Sequence, residues 1–360
     1  LEALVRSYPG PPPLYMTLKN LSISLCAVLI GVACNTVAPA DDAQQVSDPV
    51  QAAIIALEKK ILADPKNAEL YAERAKLNEQ RDSVELAEKD WQRAIAAAPS
   101  DPRWHIGLGD LYYRKIRVDQ ADAQFREAIA VDATNVEARL KRSEIMLLQR
   151  KYTDAMAMAN EALRLDVQNP RGYFLKGWIH MEAGDTALAI SSYRTAIEQD
   201  PAQYEAYIAL GLLHAAKRDP LALEYYNSAI DLKPKSVEAW YNKGMYAQEN
   251  GLDSLAMDCY SHIKEIDPRN ATAWYNTGYI LLEHQGRYAE AREQFGKAIQ
   301  LMPTYVQAYY NRGLCYEREQ RLDSALIDYQ RAIALAPDMT LAAEGLGRLQ
   351  DKGMKVPRPQ

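Results

Sequence analysis

Three asparagines occupy the same site in three similar segments of the chain. The segments share the order aromatic, Tyr, Asn, any residue, Gly, and lie at residues 240–244, 274–278 and 309–313. Their central residues are Asn242, Asn276 and Asn311. An Asn side chain carries both a hydrogen-bond acceptor and a donor, so it matches the backbone groups of an extended peptide whatever the peptide's sequence. The spacing favours peptide binding; the alternative is that Asn belongs only to the architecture of the segment.

The residues that usually perform catalysis or hold metals form no recognisable motif. The five histidines lack the His-Glu-x-x-His spacing, and the four cysteines lack Cys-x-x-Cys. There is no Gly-x-Ser-x-Gly turn and no Gly-rich phosphate loop. The net charge of −6 argues against nucleic-acid binding, which depends on neutralising phosphates. We therefore expect no enzyme, no cofactor and no metal site.

A repeat positions these residues. Nine closing residues, seven of them Pro, recur every 33 to 35 residues, at Pro65, Pro99, Ala133, Val167, Pro201, Pro234, Pro268, Pro303 and Pro337. Ten residues after each closing residue stands Gly, Ala or Ser, and further on come an Ala, an aromatic and usually another Ala. Because Pro does not continue a helix, each unit is predicted to be two amphipathic helices whose aromatic and small residues face each other.

This fixed order of small, aromatic and Pro sites resembles the tetratricopeptide repeat family over about residues 52–352. The resemblance implies an all-α, right-handed superhelical solenoid with eight full helix-turn-helix repeats over about 68–338. Single capping helices are expected at about 49–63 and 340–352, because the end repeats would otherwise expose their apolar faces. The 33-residue and 35-residue intervals are expected to differ in the turns at 217–220 and 284–287.

The resemblance also implies a groove. In tetratricopeptide arrays the first helix of each repeat lines the concave surface, with the residues seven, eight and eleven after the closing residue facing inwards. In repeats four to eight these sites are largely aromatic or amide, and ten of them are predicted to bind a peptide: Phe174, Trp178, Tyr241, Asn242, Met245, Tyr275, Asn276, Tyr279, Tyr310 and Asn311. The carboxylate-clamp mode of related arrays is excluded, because the matching residues Glu238, Thr272 and Gln307 are not basic.

The amino end has a different composition. After a basic start, residues 21–33 are apolar and precede Cys34, a pattern typical of a secretory signal. The segment resembles a bacterial lipoprotein signal, which implies that residues 16–33 are a signal peptide and that Cys34 is lipidated, although Gly31 departs from the usual pattern. Residues 1–15 are predicted to be an upstream extension, 34–48 the lipidated Cys and a flexible tether, 49–352 the solenoid and 353–360 a disordered tail.

Three functions compete. The first is a non-enzymatic scaffold, lipid-anchored at Cys34 in the bacterial envelope, facing the periplasm from the outer membrane and holding a protein or peptide partner. The second is a cytoplasmic adaptor or regulator, which follows if residues 21–34 are not a signal. The third is an enzyme, a function that no motif in the sequence supports. The remaining cysteines, Cys259 and Cys315, are separated by a whole repeat and are predicted to be buried free thiols.

Overall fold

The structure is a computed structural model that describes residues 48–356. The predicted upstream extension, the signal peptide, Cys34 and the tether up to residue 47 lie outside the described residues, as do residues 357–360. Within residues 48–356 there are eighteen α-helices and no strand. The all-α prediction is therefore confirmed.

The helices follow one another in pairs. Contacts divide the chain into two compact units, the first ending at Gln203 and the second including Tyr204 onwards. In the first unit a single helix precedes four pairs: α1 (Pro49–Ala63), α2 (Ala68–Gln80), α3 (Val84–Ala97), α4 (Pro102–Arg114), α5 (Val118–Val131), α6 (Val136–Leu148), α7 (Tyr152–Leu165), α8 (Pro170–Glu182) and α9 (Thr186–Gln199).

The second unit reverses this arrangement, with four pairs followed by a single helix. Its helices are α10 (Tyr204–Ala215), α11 (Leu221–Leu232), α12 (Val237–Glu249), α13 (Asp253–Ile266), α14 (Ala271–Tyr279), α15 (Tyr288–Leu301), α16 (Val306–Arg318), α17 (Leu322–Leu335) and α18 (Thr340–Asp351). Eight pairs with a single helix at either end are the eight repeats and two capping helices predicted.

In six of the eight pairs an aromatic ring of the second helix presses against a glycine of the first. In the pair α10–α11, a Cβ added to Gly211 would stand 2.4 Å from a ring carbon of Tyr226. Gly177 and Tyr193 meet in the same way in the pair α8–α9. The rings of Tyr193 and Tyr226 are almost fully buried, and burying an aromatic side chain contributes on the order of 2–3 kcal/mol. The first helix must therefore lack a larger side chain at this site.

A hydrogen bond seals the turn between successive repeats. The side chain six residues after the closing residue donates to the backbone carbonyl oxygen of the closing residue, which has no helical partner. Five repeats show this closing hydrogen bond, with donor and acceptor at Tyr71 and Pro65 (3.1 Å), Arg139 and Ala133 (2.8 Å), Tyr173 and Val167 (2.9 Å), Trp240 and Pro234 (2.9 Å), and Trp274 and Pro268 (3.3 Å). The sequence pattern showed the site but not its hydrogen bond.

A second internal bond joins the two helices of a repeat. In repeats one, six and eight the second-helix aromatic donates to a side-chain oxygen fourteen residues after the closing residue, pairing Trp91 with Glu79 (2.7 Å), Tyr260 with Gln248 (2.9 Å) and Tyr329 with Glu317 (2.8 Å). In the last repeat this acceptor is a buried carboxylate, and it is charged.

The buried carboxylate of Glu317 also fixes the capping helix α18. Arg348 and Lys352 of that helix donate to it at 3.0 and 2.9 Å. Burial alone would raise the pKa of Glu317, but the hydrogen bonds from Arg348, Lys352 and Tyr329 outweigh it and lower the pKa to about 2. The pKa of Glu317 is thus lower in the folded protein than in the unfolded chain. At a pH above the unfolded pKa the contact stabilises α18 in full, and this stabilisation is lost as the pH falls through the folded pKa.

The 35-residue repeat accommodates its extra residue differently from the prediction. The first helix of that repeat, α14, continues as a π-helical segment, Ile280–His284, before the turn begins. A π-helical turn takes in one more residue than an α-helical turn, so the additional residue is absorbed at the end of the helix and not only in the turn. The 33-residue repeat does differ in the predicted turn, between Ala215 and Leu221.

The tail predicted from residue 353 begins within the described residues. Met354 and Val356 are partly buried against the apolar cluster of the last repeat, which includes Leu349. Apolar side chains that follow a capping helix can cover the surface it leaves exposed. The disordered tail stays a prediction, and residues 357–360 lie outside the described residues.

Two glycines at the same repeat site provide a test of the ring contact. We expect Gly211→Ala to lower the free energy of unfolding by about 1–3 kcal/mol, because the new methyl group would overlap the Tyr226 ring. Gly347 stands at the equivalent site of α18, where no atom lies within 4 Å of an added Cβ. Gly347→Ala should instead be neutral or stabilising by up to about 1 kcal/mol. Urea unfolding followed by circular dichroism measures both; equal effects would contradict the ring contact.

Candidate functional site

The ten residues predicted to bind a peptide belong to both units. Phe174 and Trp178 lie on α8 in the first unit, where their rings are half-buried and 6.5 Å apart between centroids. Phe174 also contacts the buried ring of Tyr193, at 5.4 Å. The other eight residues lie in the second unit, on the first helices α12, α14 and α16.

The tyrosines at three of the predicted sites in the second unit are buried. Tyr241, Tyr275 and Tyr310 are 5%, 1% and 9% exposed. The ring of Tyr275 stacks on Tyr305 at 4.8 Å and contacts Phe295 at 5.5 Å. Tyr310 likewise packs against a second-helix aromatic, Tyr329, at 5.7 Å between ring centroids. All three tyrosines are therefore core residues.

The three asparagines are buried as well, and two of them tie neighbouring repeats together. The side-chain amide of Asn311 donates to the hydroxyl of Tyr275 at 3.0 Å, and that of Asn276 lies 3.6 Å from the sulfur of Met245. Each contact runs from one repeat to the repeat before it. A peptide-binding role for Asn242, Asn276 and Asn311 stays a prediction, while the internal contacts give the architectural alternative direct support.

An open cleft lies at the carboxyl end of the second unit. Its volume is about 770 Å³, and it is lined by Glu283, Tyr310, Leu314, Glu317, Arg318, Gln320, Arg348, Asp351 and Lys352. Tyr279, one helical turn before Glu283, is half-buried. Burial raises the pKa of both Tyr279 and Tyr310, so their hydroxyls stay protonated at neutral pH. The cleft thus combines an apolar and aromatic floor with charged side chains.

The inner face of the first unit has a different character, because its charges pair with one another. Lys141 lies 2.9 Å from Asp110, and Arg171 contacts both Glu137 and Glu144. These residues come from the first helices α4, α6 and α8. Ion pairs within the chain leave these side chains less available to a partner.

The described residues meet neither the requirements of a metal site nor those of a reactive thiol. No group of three or more His, Cys, Asp or Glu side chains in residues 48–356 could hold a metal ion. Cys259 and Cys315 are buried and unpaired, as predicted. Burial raises the pKa of the Cys259 thiol to about 11 and that of Cys315 to about 12, so both are poor nucleophiles. Within the same residues, no helix has the length and apolar character needed to span a bilayer.

Paired helices with a small-residue contact and an inner groove define a class of helical-repeat protein. Sequence models described as "Tetratricopeptide repeat" match residues 73–121, 106–170, 174–236, 237–270, 259–293 and 306–339, and one described as "TPR repeat" matches 282–320. The chain belongs to the tetratricopeptide repeat family.

Similar proteins are distant and mostly longer. DnaJ homolog subfamily C member 7 of Mus musculus is 24% identical over 231 residues, 64% of this chain and 42% of that protein. Protein O-mannosyl-transferase TMTC3 of Homo sapiens is 22% identical over 296 residues, 80% of this chain and 32% of that protein. The chain thus spans less than half the length of these two relatives.

A solved structure supports the fold. The C-terminal part of a TPR repeat-containing protein from Cytophaga hutchinsonii superposes with a TM-score of 0.58 and 17% identity, covering 66% of this chain and 98% of that one.

The hydrogen bond between Asn311 and Tyr275 can be tested by a double-mutant cycle. We expect Asn311→Ala and Tyr275→Phe each to destabilise the second unit, since each removes one partner of a buried hydrogen bond. The coupling energy from urea unfolding of both single variants and the double variant should be about 0.5–1.5 kcal/mol. Strictly additive effects would show that this bond does not link the repeats.

Proposed function

We propose that the chain is a non-enzymatic scaffold that holds an extended protein or peptide segment along the first helices of the second unit. The observation that carries the proposal is the open cleft, whose floor of Tyr310 and Leu314 leaves apolar surface accessible beside charged groups. Partner surfaces are typically built in this way, with apolar contacts surrounded by polar ones. The half-buried ring of Tyr279 adds to the accessible apolar surface.

The non-enzymatic part of the proposal has separate support. The described residues hold no metal-binding group, and their two thiols are protonated at neutral pH. One relative is named as an O-mannosyl-transferase, but the match covers only 32% of it. A helical-repeat segment can occur in an enzyme without forming the catalytic centre, because fold and function are separable.

We further propose that Cys34 anchors the scaffold to a bacterial membrane. The support is the apolar run at residues 21–33 directly before Cys34 and the small, polar stretch at 35–45 after it. Acyl chains contribute about 0.8 kcal/mol for each buried methylene, so more than one chain would give firm attachment. In this proposal the repeats face the periplasm from the outer membrane. A cytoplasmic adaptor is the alternative if residues 21–34 are not a signal.

The cleft can be tested with a photo-reactive amino acid placed in the full chain. We expect a cross-linker at Tyr279 to capture a discrete partner in cells, whereas one at the exposed Ile327 on the second helix α17 should not. The double variant Tyr279→Ala with Leu314→Ala should reduce capture by a cross-linker at Gln307 at least tenfold, about 1.4 kcal/mol. Capture that is equal at both sites and unaffected by the double variant would move the binding surface away from the cleft.

Anchoring has its own test. We expect Cys34→Ala to abolish labelling with a radioactive fatty acid and to move the protein from the detergent phase to the aqueous phase. Cys259→Ala, a buried cysteine in the repeats, should leave both properties unchanged. If Cys34→Ala protein partitions like the wild type, the lipoprotein proposal is wrong and the cytoplasmic alternative becomes the better one.

A further inference from the structure

Ion pairs join the first helices of successive repeats in the first unit. Arg103 of α4 lies 3.5 Å from Glu69 of α2. Lys141 of α6 lies 2.9 Å from Asp110 of α4. Opposite charges therefore meet at the junction between repeats one and two and at the junction between repeats two and three.

The third junction, between α6 and α8, contains two ion pairs. Arg171 of α8 lies 2.7 Å from Glu137 and 2.5 Å from Glu144, both on α6. The two carboxylates stand seven residues apart, about two helical turns, so one guanidinium contacts a long part of the neighbouring helix. Lys141 also lies 3.9 Å from Glu137. The charged side chains of α4, α6 and α8 thus form one connected network.

This network is partly shielded from water. The side chains of Lys141 and Glu144 are 18% and 16% exposed, and that of Arg171 is 33% exposed. Burial alone would lower the pKa of Arg171, but the charges of Glu144 and Glu137 outweigh burial and raise it. Opposite charges attract more strongly where protein replaces part of the surrounding water. Because every pair keeps some contact with solvent, dissolved salt weakens that attraction.

The second unit joins its first helices by contacts of another kind. Asn311 of α16 donates to Tyr275 of α14, and Tyr204 of α10 donates to Glu238 of α12 at 3.0 Å. The contact of Asn276 with the preceding repeat is also uncharged. Among residues 48–356, no ion pair joins α10, α12, α14 or α16 to another of these four helices. Hydrogen bonds from a neutral donor respond less to salt than an attraction between two full charges.

We infer that the spacing of the first helices depends on ionic strength in the first unit and not in the second. When salt weakens the ion pairs, the inner edges of repeats one to four separate, while the apolar contacts within each pair of helices persist. A wider spacing changes the curvature of the inner face of the first unit, and with it the shape of partner that fits there.

Distances between matched spin labels in the full chain test this dependence. Lys66 and Gln168 each stand one residue after a closing residue and are three repeats apart in the first unit. Ala202 and Thr304 are the same two sites in the second unit, and all four residues are exposed. Nitroxide labels carried by unnatural amino acids replace each pair in turn, and pulsed electron paramagnetic resonance measures the distance between them.

The salt response should differ between the units. Between about 0.01 M and about 1 M sodium chloride the Debye length falls from about 30 Å to about 3 Å, and we expect the distance between sites 66 and 168 to grow by at least about 3 Å. The distance between sites 202 and 304 should change by less than about 1 Å, because no ion pair joins the first helices there.

Three variants separate the ion pairs from other effects of salt, once circular dichroism has shown that each is folded. Arg171→Gln should lengthen the distance between sites 66 and 168 at low salt and reduce its salt response at least twofold, whereas Arg171→Lys keeps the charge and most of the response. Arg126 pairs with Asp122 on the same helix, α5, so Arg126→Gln removes an equal charge without affecting a junction and should leave both distances unchanged.

Three outcomes would each overturn the inference. They are equal lengthening in both units, an unchanged distance between sites 66 and 168 in the wild type at high salt, and equal effects of Arg171→Gln and Arg126→Gln.

Discussion

The approach of an aromatic ring to a residue without a side chain is the constraint on which the remaining structure depends. Tyr226 lies so close to Gly211 that no larger residue fits without displacement. This contact sets how near the two helices of a pair can come, and so which first-helix residues are left to meet the neighbouring repeat. The burial of Tyr275 and Asn311 follows from the same spacing, because closely packed pairs cover each other's inner edges.

Much of the fold was predictable because the same pattern of residues recurs along the chain, with nine closing residues. A single small or aromatic residue is weak information, but the same order at a constant interval fixes helix number, pairing and approximate bounds. Hydrogen bonds were less accessible to this reasoning. The pattern marks the site six residues after each closing residue, but Trp240 and Arg139 at that site differ in size and shape. Their common property is an N–H group that can donate a hydrogen bond.

The candidate site was predicted less well than the fold. Periodicity indicates the face of a helix on which Tyr241 or Tyr310 lies, but not how far the next repeat extends over that face. Both proved to be core residues.

The closing hydrogen bond bears on how such a chain changes in length over evolution. Donor and acceptor lie six residues apart in the sequence. Each closing hydrogen bond therefore forms between neighbouring residues and needs no distant part of the chain. Duplication or deletion of one whole repeat therefore adds or removes the donor and the acceptor together, and no carbonyl oxygen loses its hydrogen bond. Gene rearrangements that would ruin a protein with long-range pairing are tolerated here, and the number of repeats becomes a variable that selection can adjust independently of the sequence within each repeat.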